Sequence, residues 1–184
     1  MQLTNNFNTE IDKNITGGLG WDKLSSQVQE NARKLAENVQ AIRDRLGLAI
    51  SVTSGYRPAD QNVRVGGSKT SQHVHGEAWD IVIKGQTREL LDDVARDIME
   101  GRLQLPHPCS QIIVETNQFG RHWIHLAIKT DRWIEYNKEM MLGKISELVR
   151  AKHNKRLVAC EFLSTHDART FTMVGYRLYE EFGK

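Results

Sequence analysis

Cysteine is scarce in this chain, with only Cys109 and Cys160 among 184 residues and no Cys-x-x-Cys pair. That excludes a disulfide framework and a cysteine-built zinc finger, and leaves two reduced, partly buried thiols as the expectation. Long apolar runs are missing as well: no stretch approaches the roughly eighteen consecutive apolar residues of a membrane-spanning helix. Neither sign of charge dominates, since 25 Lys and Arg face 23 Asp and Glu, so nothing in the balance argues for a nucleic-acid partner. Met1-Gln2-Leu3-Thr4-Asn5-Asn6-Phe7 lacks the basic start and apolar core of a secretory signal, which makes the cytoplasm the expected place at synthesis. There is no internal repeat and no low-complexity segment.

What is present is an ordinary globular composition, 39% hydrophobic and 26% charged, in a chain long enough to bury a real core as one good-sized domain. Residues 1 to 24 are polar and glycine-containing, without a sustained period, and read as an irregular arm anchored by Trp21. From about Ser25 to Leu46 the apolar residues Val28, Ala32, Leu35, Val39, Ile42 and Leu46 recur at steps of four and three. That predicts a helix with one stripe for the core, ended by Gly47. Ala49 to Thr53, with its β-branched residues, predicts a strand. Residues 59 to 72 carry turn chemistry and no period, and predict a loop joining Arg57 to His73. A helix is expected over 87 to 100, with Thr87 as N-cap and Leu90, Leu91, Val94 and Ile98 inward. Strands are expected over 111 to 115 and 121 to 128, with a turn from Asn117 to Gly120. The fold class is therefore α+β, a small sheet with flanking helices.

Past Asp131 the character changes. Residues 129 to 156 hold eight Lys or Arg and four acids, and Ile134, Met141, Ile145 and Leu148 keep helical spacing, which predicts an amphipathic helix with a basic end that suits the helix dipole. The expected division is a domain over 1–131 and a helical C-terminal extension over 132–184 of unassigned role.

The chemistry concentrates in Ser71-Gln72-His73-Val74-His75-Gly76-Glu77-Ala78-Trp79-Asp80, a loop running into the apolar strand Ile81-Val82-Ile83. A carboxylate inside an apolar strand is costly unless a cation or strong donors stand beside it. Zinc answers that need for Asp80, and so would a salt bridge to Arg57. A second histidine-bearing strand, His122-Trp123-Ile124-His125, lies about forty residues on. His73, Asp80 and His125 together make three of the four ligands of a catalytic zinc. Hydrolysis further needs a proton acceptor and a cationic clamp. The candidates are His122 for the base, with Glu115 in reserve, and Arg57 for the clamp. His122 meets a geometric difficulty, because residues three apart on a regular strand face opposite sides. His107, His153 and His166 read as surface or satisfied residues.

Ser71-x-His73-x-x-Gly76-x-Ala78-x-Asp80 with His122-x-x-His125 downstream resembles the signature of the zinc D-Ala-D-Ala carboxypeptidases and L-alanyl-D-glutamate endopeptidases. These share a core with lysostaphin and the sonic hedgehog domain. Val52-Thr53-Ser54-Gly55-Tyr56-Arg57-Pro58 and Val65 to His73 look like the branch rich in small bacteriophage and bacterial proteins, and the likeness spans roughly residues 20 to 130. The resemblance implies a small, mostly antiparallel sheet. It also implies zinc on His73, Asp80 and His125, a substrate-binding Arg57, and a general base three residues before the last ligand. That base is often acidic in these enzymes and is His122 here. The implied partner is the peptide stem of peptidoglycan, and the implied setting is a phage lysis enzyme or virion-carried wall hydrolase. A rival reading keeps the fold and metal in a wall-binding or structural module without turnover, and a weaker one is a regulatory zinc domain of the hedgehog kind.

Overall fold

The computed structural model describes residues 1–117 and 119–132. The expected amphipathic helix beyond residue 133, Cys160, His153 and His166 lie outside the described residues. Within them the elements run helix α1 (Ser26–Leu46), strand β1 (Ile50–Ser54), helix α2 (Ala59–Arg64), strand β2 (Ala78–Ile83), helix α3 (Arg88–Met99), strand β3 (Cys109–Thr116) and strand β4 (His122–Ile128), with short 3-10 turns at Lys13–Thr16, Trp21–Lys23 and Gln72–His75. The four strands form one sheet in the order β1-β2-β4-β3, every neighbouring pair antiparallel. The α+β expectation holds, with the two strands that bear His125 and Asp80 at the centre.

α1 starts where Ser25 accepts a hydrogen bond from the Val28 amide and ends where the Gly47 amide bonds the Arg43 carbonyl. Its stripe of Val28, Ala32, Leu35, Val39 and Ile42 is buried, as the spacing predicts. α3 begins at the expected cap, Thr87 accepting from the Leu90 amide. It buries Leu91, Val94 and Ala95 and leaves Leu90 and Ile98 half-buried at the margin. Both helices join one cluster with Ile50, Val52, Trp79, Ile81, Ile83, Ile112, Ile124, Leu126 and Ile128. Those strand residues share one face of the sheet through the pairings Ile81↔Ile124 and Ile112↔Leu126.

One expectation is widened and another needs correction. The arm over residues 1 to 24 is irregular and anchored by Trp21 as expected, and by more besides: Phe7 and Ile15 are buried more deeply, and Phe7 packs against Trp79 with ring centroids 5.9 Å apart. Widely spaced single anchors, not a period, do this work, so a periodicity search passes over them. The stretch from 59 to 72 is no plain loop, since α2 occupies its first half. Pro58 at the cap and Asp60 in the first turn are start signals, but six residues are too few to show a period.

At the other end, the side chain of buried Glu77 accepts hydrogen bonds from Thr130 Oγ1 (2.8 Å) and from Nε (2.8 Å) and Nη2 of Arg132. Arg132, the first residue of the expected extension, is therefore tied to the residue just before β2.

Candidate metal and catalytic site

The face of the sheet away from α1 and α3 carries Asp80, Val82, Gln111, Ile113, Glu115, Trp123 and His125, all half-buried. Register brings the chemistry together: Asp80 is opposite His125 in the β2–β4 pair, and His125 is opposite Ile113 in the β3–β4 pair. Directly opposed residues point to the same side of a sheet, so Asp80 and His125 meet side by side.

His73 reaches them from the 3-10 turn at Gln72–His75. Gly76 ends that turn at φ 65°, and a Cβ there would stand 2.8 Å from Val28 Cγ1, so the motif's glycine serves both a left-handed turn and a close approach. Buried Gln72 donates to Ser110 Oγ (2.9 Å), which in turn donates to the Ile128 carbonyl (2.9 Å). The Arg57 amide bonds the His73 carbonyl (3.0 Å), so the loops of Arg57 and His73 are joined.

The result is a compact group. Ligand atoms of His73, Asp80 and His125 all lie within 4.8 Å of one another. Asp80 Oδ1 is 3.3 Å from His73 Nε2 and 2.9 Å from His125 Nδ1. Three atoms bound to one zinc at about 2.0–2.1 Å are themselves about 3.3 Å apart in a tetrahedron, so the spacing fits such an ion. The hydrogen bonding fits too. His73 Nδ1 is 2.8 Å from the Gly55 carbonyl oxygen, and a carbonyl only accepts, so Nδ1 carries the proton. In the neutral ring Nε2 is then a lone pair aimed at a carboxylate oxygen, two acceptors facing each other, an arrangement that a cation between them relieves. Burial by itself would raise the Asp80 pKa. When both rings are protonated instead, hydrogen bonds from His125 and His73 and their charge outweigh it and hold the carboxyl well below the usual range.

Arg57 stands at the edge of the group. Its Nη2 is 3.8 Å from Asp80 Oδ2 and donates to Ser54 Oγ (2.8 Å), while Nη1 donates to Asn62 Oδ1 (3.4 Å). Buried Asn62, on α2, also donates to the Ser68 carbonyl (2.8 Å). Asn62 lies in the stretch 59 to 72, whose turn chemistry predicts a loop. A polar side chain on a short helix that follows Arg57-Pro58 is the signal that points to it.

Glu115 and His122 part company. Glu115 is on β3 opposite Trp123, on the same face as His125 and diagonal to it, where neighbours are about 7–8 Å apart. Pairing runs without irregularity from Gln111 to Thr116, so His122 faces the helices. Its Nδ1 is 2.7 Å from Thr116 Oγ1, which also accepts from Arg88 Nη1 of α3. The structure thus brings together His73, Asp80 and His125, sets Arg57 beside them and Glu115 on their face, and keeps His122 apart. Trp123, next to His125 on the open face, buries its indole N–H without an acceptor among the described residues. His107 is a satisfied residue, with Nε2 2.6 Å from Glu37 Oε2. Buried Cys109 is a structural thiol, its pKa pushed up to about 12 by desolvation.

The profile of a family described as peptidase M15 matches residues 6–107, more than half of the 184 residues. The chain belongs to the peptidase M15 family. M15 peptidases are zinc-dependent, so the protein is a metallopeptidase by family. The match begins inside the N-terminal arm, in keeping with that arm's place in the core, and takes in Arg57, His73 and Asp80. It ends before Glu115 and His125, which the sheet register alone brings to the site. No curated protein matches the chain significantly.

Proposed function

We propose that this M15 protein is a zinc peptidase that hydrolyses a bond in the peptide stem of bacterial peptidoglycan, with His73, Asp80 and His125 as the metal ligands. The observation that carries the reading is the convergence of those three side chains around Asp80 Oδ1, with the proton of His73 fixed on Nδ1 by the Gly55 carbonyl. Zinc held by three such ligands polarises a carbonyl oxygen and acidifies water towards neutrality.

The chain's own groups complete the reaction. Glu115 takes the proton of the attacking water at a carboxylate oxygen and returns it to the departing amine. Its position on the face of His125 favours it over His122, whose ring is engaged with Thr116 on the other side. Arg57, steadied by Ser54 and Asn62, offers its guanidinium to the carbonyl oxygen as negative charge develops there. The likeness of Val52–Pro58 and Val65–His73 to the branch rich in phage proteins supports a role as a phage lysis or virion-carried wall hydrolase. Such a protein is made in the cytoplasm and acts on the wall after release or delivery.

The test is to incubate the zinc-loaded protein with purified peptidoglycan and synthetic stem peptides and to search for new termini by mass spectrometry. New termini are expected. Their absence, where a known wall peptidase cuts, would favour a wall-binding module that holds the metal without turnover.

A further inference from the structure

Glu77 follows the turn that carries His73 and stands just before β2, which carries Asp80. Its backbone is committed on both sides. The Glu77 amide bonds the Gln72 carbonyl (2.9 Å) at the start of the turn, and the Glu77 carbonyl accepts from the Ile128 amide (2.9 Å) at the end of β4. Neutral groups fasten the rest of the turn: Gln72 donates to Ser110, and Asn31 Nδ2 donates to the His75 carbonyl (3.2 Å).

The Glu77 side chain is a different kind of fastening, because it takes a carboxylate out of water. Only 4% of its surface is exposed, against 34% for the side chain of Arg132 that covers it. Such a group is costly unless both oxygens are paired. Here Oε1 accepts from Thr130 and from Nε of Arg132, and Oε2 accepts from Nη2 of Arg132. Two prongs of one guanidinium on the two oxygens fix orientation as well as distance, and a lysine has no such fork. Removing the guanidinium takes away two of those three hydrogen bonds. The carboxylate then either stays covered and poorly paired or turns out to water. Turning out draws on the bonds to Gln72 and Ile128, so the His73 turn and the first residues of β2 move with it.

We propose that Arg132 is a positioning residue for the metal site: through Glu77 it holds the segment from His73 to Asp80 in the geometry at which both side chains reach one ion. The proposal rests on the metal reading of His73, Asp80 and His125, but the rigidity it claims is measurable without metal. It gives the start of the C-terminal stretch a place in the frame of the site, with no contact to any reacting atom.

The test uses the full chain carrying Arg132→Ala, Arg132→Lys, Glu77→Gln or the double change Glu77→Gln with Arg132→Ala. Leu91→Ala is the control, since it weakens the core at a fully buried residue of α3. Two quantities are read on folded protein. One is the zinc dissociation constant, by competition with a chelator of known affinity. The other is amide hydrogen exchange over residues 73–77 in the metal-free chain. Arg132→Ala is expected to weaken zinc by about ten-fold, the lower end of what losing a group that orients a ligand costs, and to quicken exchange over 73–77. Arg132→Lys, which restores the charge without the fork, should fall between it and the wild type. In the double variant Arg132→Ala should add little to Glu77→Gln, because the arginine acts through that carboxylate. Leu91→Ala should melt lower and keep both quantities at the wild-type value. An Arg132→Ala protein that melts lower with wild-type zinc affinity and wild-type exchange overturns the proposal, as does a loss of zinc affinity that Leu91→Ala shares. If Arg132→Ala does not fold, Arg132→Lys carries the same comparison with Leu91→Ala. Quickened exchange over 73–77 in Arg132→Ala, when the wild type takes up no zinc, supports the brace and removes the metal reading.

Discussion

Along β4, His122, Ile124, Leu126 and Ile128 face the helices, and Trp123, His125 and Ala127 face the other way. On the helix side Ile124, Leu126 and Ile128 have almost no exposure, and the one histidine there is held by Thr116 at the strand's first residue. On the open side the strand offers His125 to Asp80 and sets Trp123 beside Glu115. One seven-residue strand therefore serves as core on one face and as chemistry on the other. Its alternation, not the kind of residue, decides which histidine reaches Asp80.

The largest expected effect comes from the open face. Asp80→Ala removes the carboxylate that both imidazoles face, and the expected outcomes are loss of stoichiometric zinc by elemental analysis and loss of all peptide hydrolysis. A variant that keeps one zinc per chain would show that the metal sits elsewhere. Next is Glu115→Gln, which leaves His73, Asp80 and His125 in place and removes only the proposed proton acceptor. Metal content should stay at one per chain while kcat falls by about 10²–10⁴-fold. Unchanged kcat would send the search for the base elsewhere.

Much of this was legible in the sequence, for stated reasons. The α1 stripe and the Thr87 cap are local patterns that the structure keeps, and the motif from Ser71 to Asp80 packs a turn and a strand into ten residues. The difficulty with His122 was legible as well, because strand alternation needs no coordinates. What the sequence left open was pairing. Nothing local says that β2 pairs with β4 and not with β3, and it is this non-consecutive order that puts Asp80 opposite His125 and Glu115 on the same face. In the arm Trp21 was legible as an anchor, whereas Phe7 and Ile15 were not, because isolated anchors have no period. The contacts of Asn62 with Arg57 and Ser68 depend on a helix too short to announce itself.

On the covered face, Leu126→Ala should cost about 2–5 kcal/mol of stability, the range for truncating a buried leucine, read as a lower denaturant midpoint. Leu126 is fully buried opposite Ile112, and its neighbours on the open face are untouched. The folded fraction should therefore still bind zinc at one per chain and cut peptide with unchanged kcat. Loss of metal from a folded Leu126→Ala protein would mean that the two faces are coupled more tightly than the register implies.

The smallest effect is expected from His122→Ala, and it probes the comparison most directly because it alters a histidine three positions from a proposed ligand. The substitution removes one hydrogen bond, to Thr116 Oγ1, and the hydroxyl keeps Arg88 Nη1 as a partner. The cost should be about 1 kcal/mol, seen as a small drop in melting temperature, with zinc content and kcat retained. A large fall in kcat with the metal still bound would place the His122 ring at the reacting atoms after all. For that, β4 would have to open its pairing with Thr116 when substrate binds, and hydrogen exchange at the amides of residues 122 and 123 would then quicken in the substrate-bound protein.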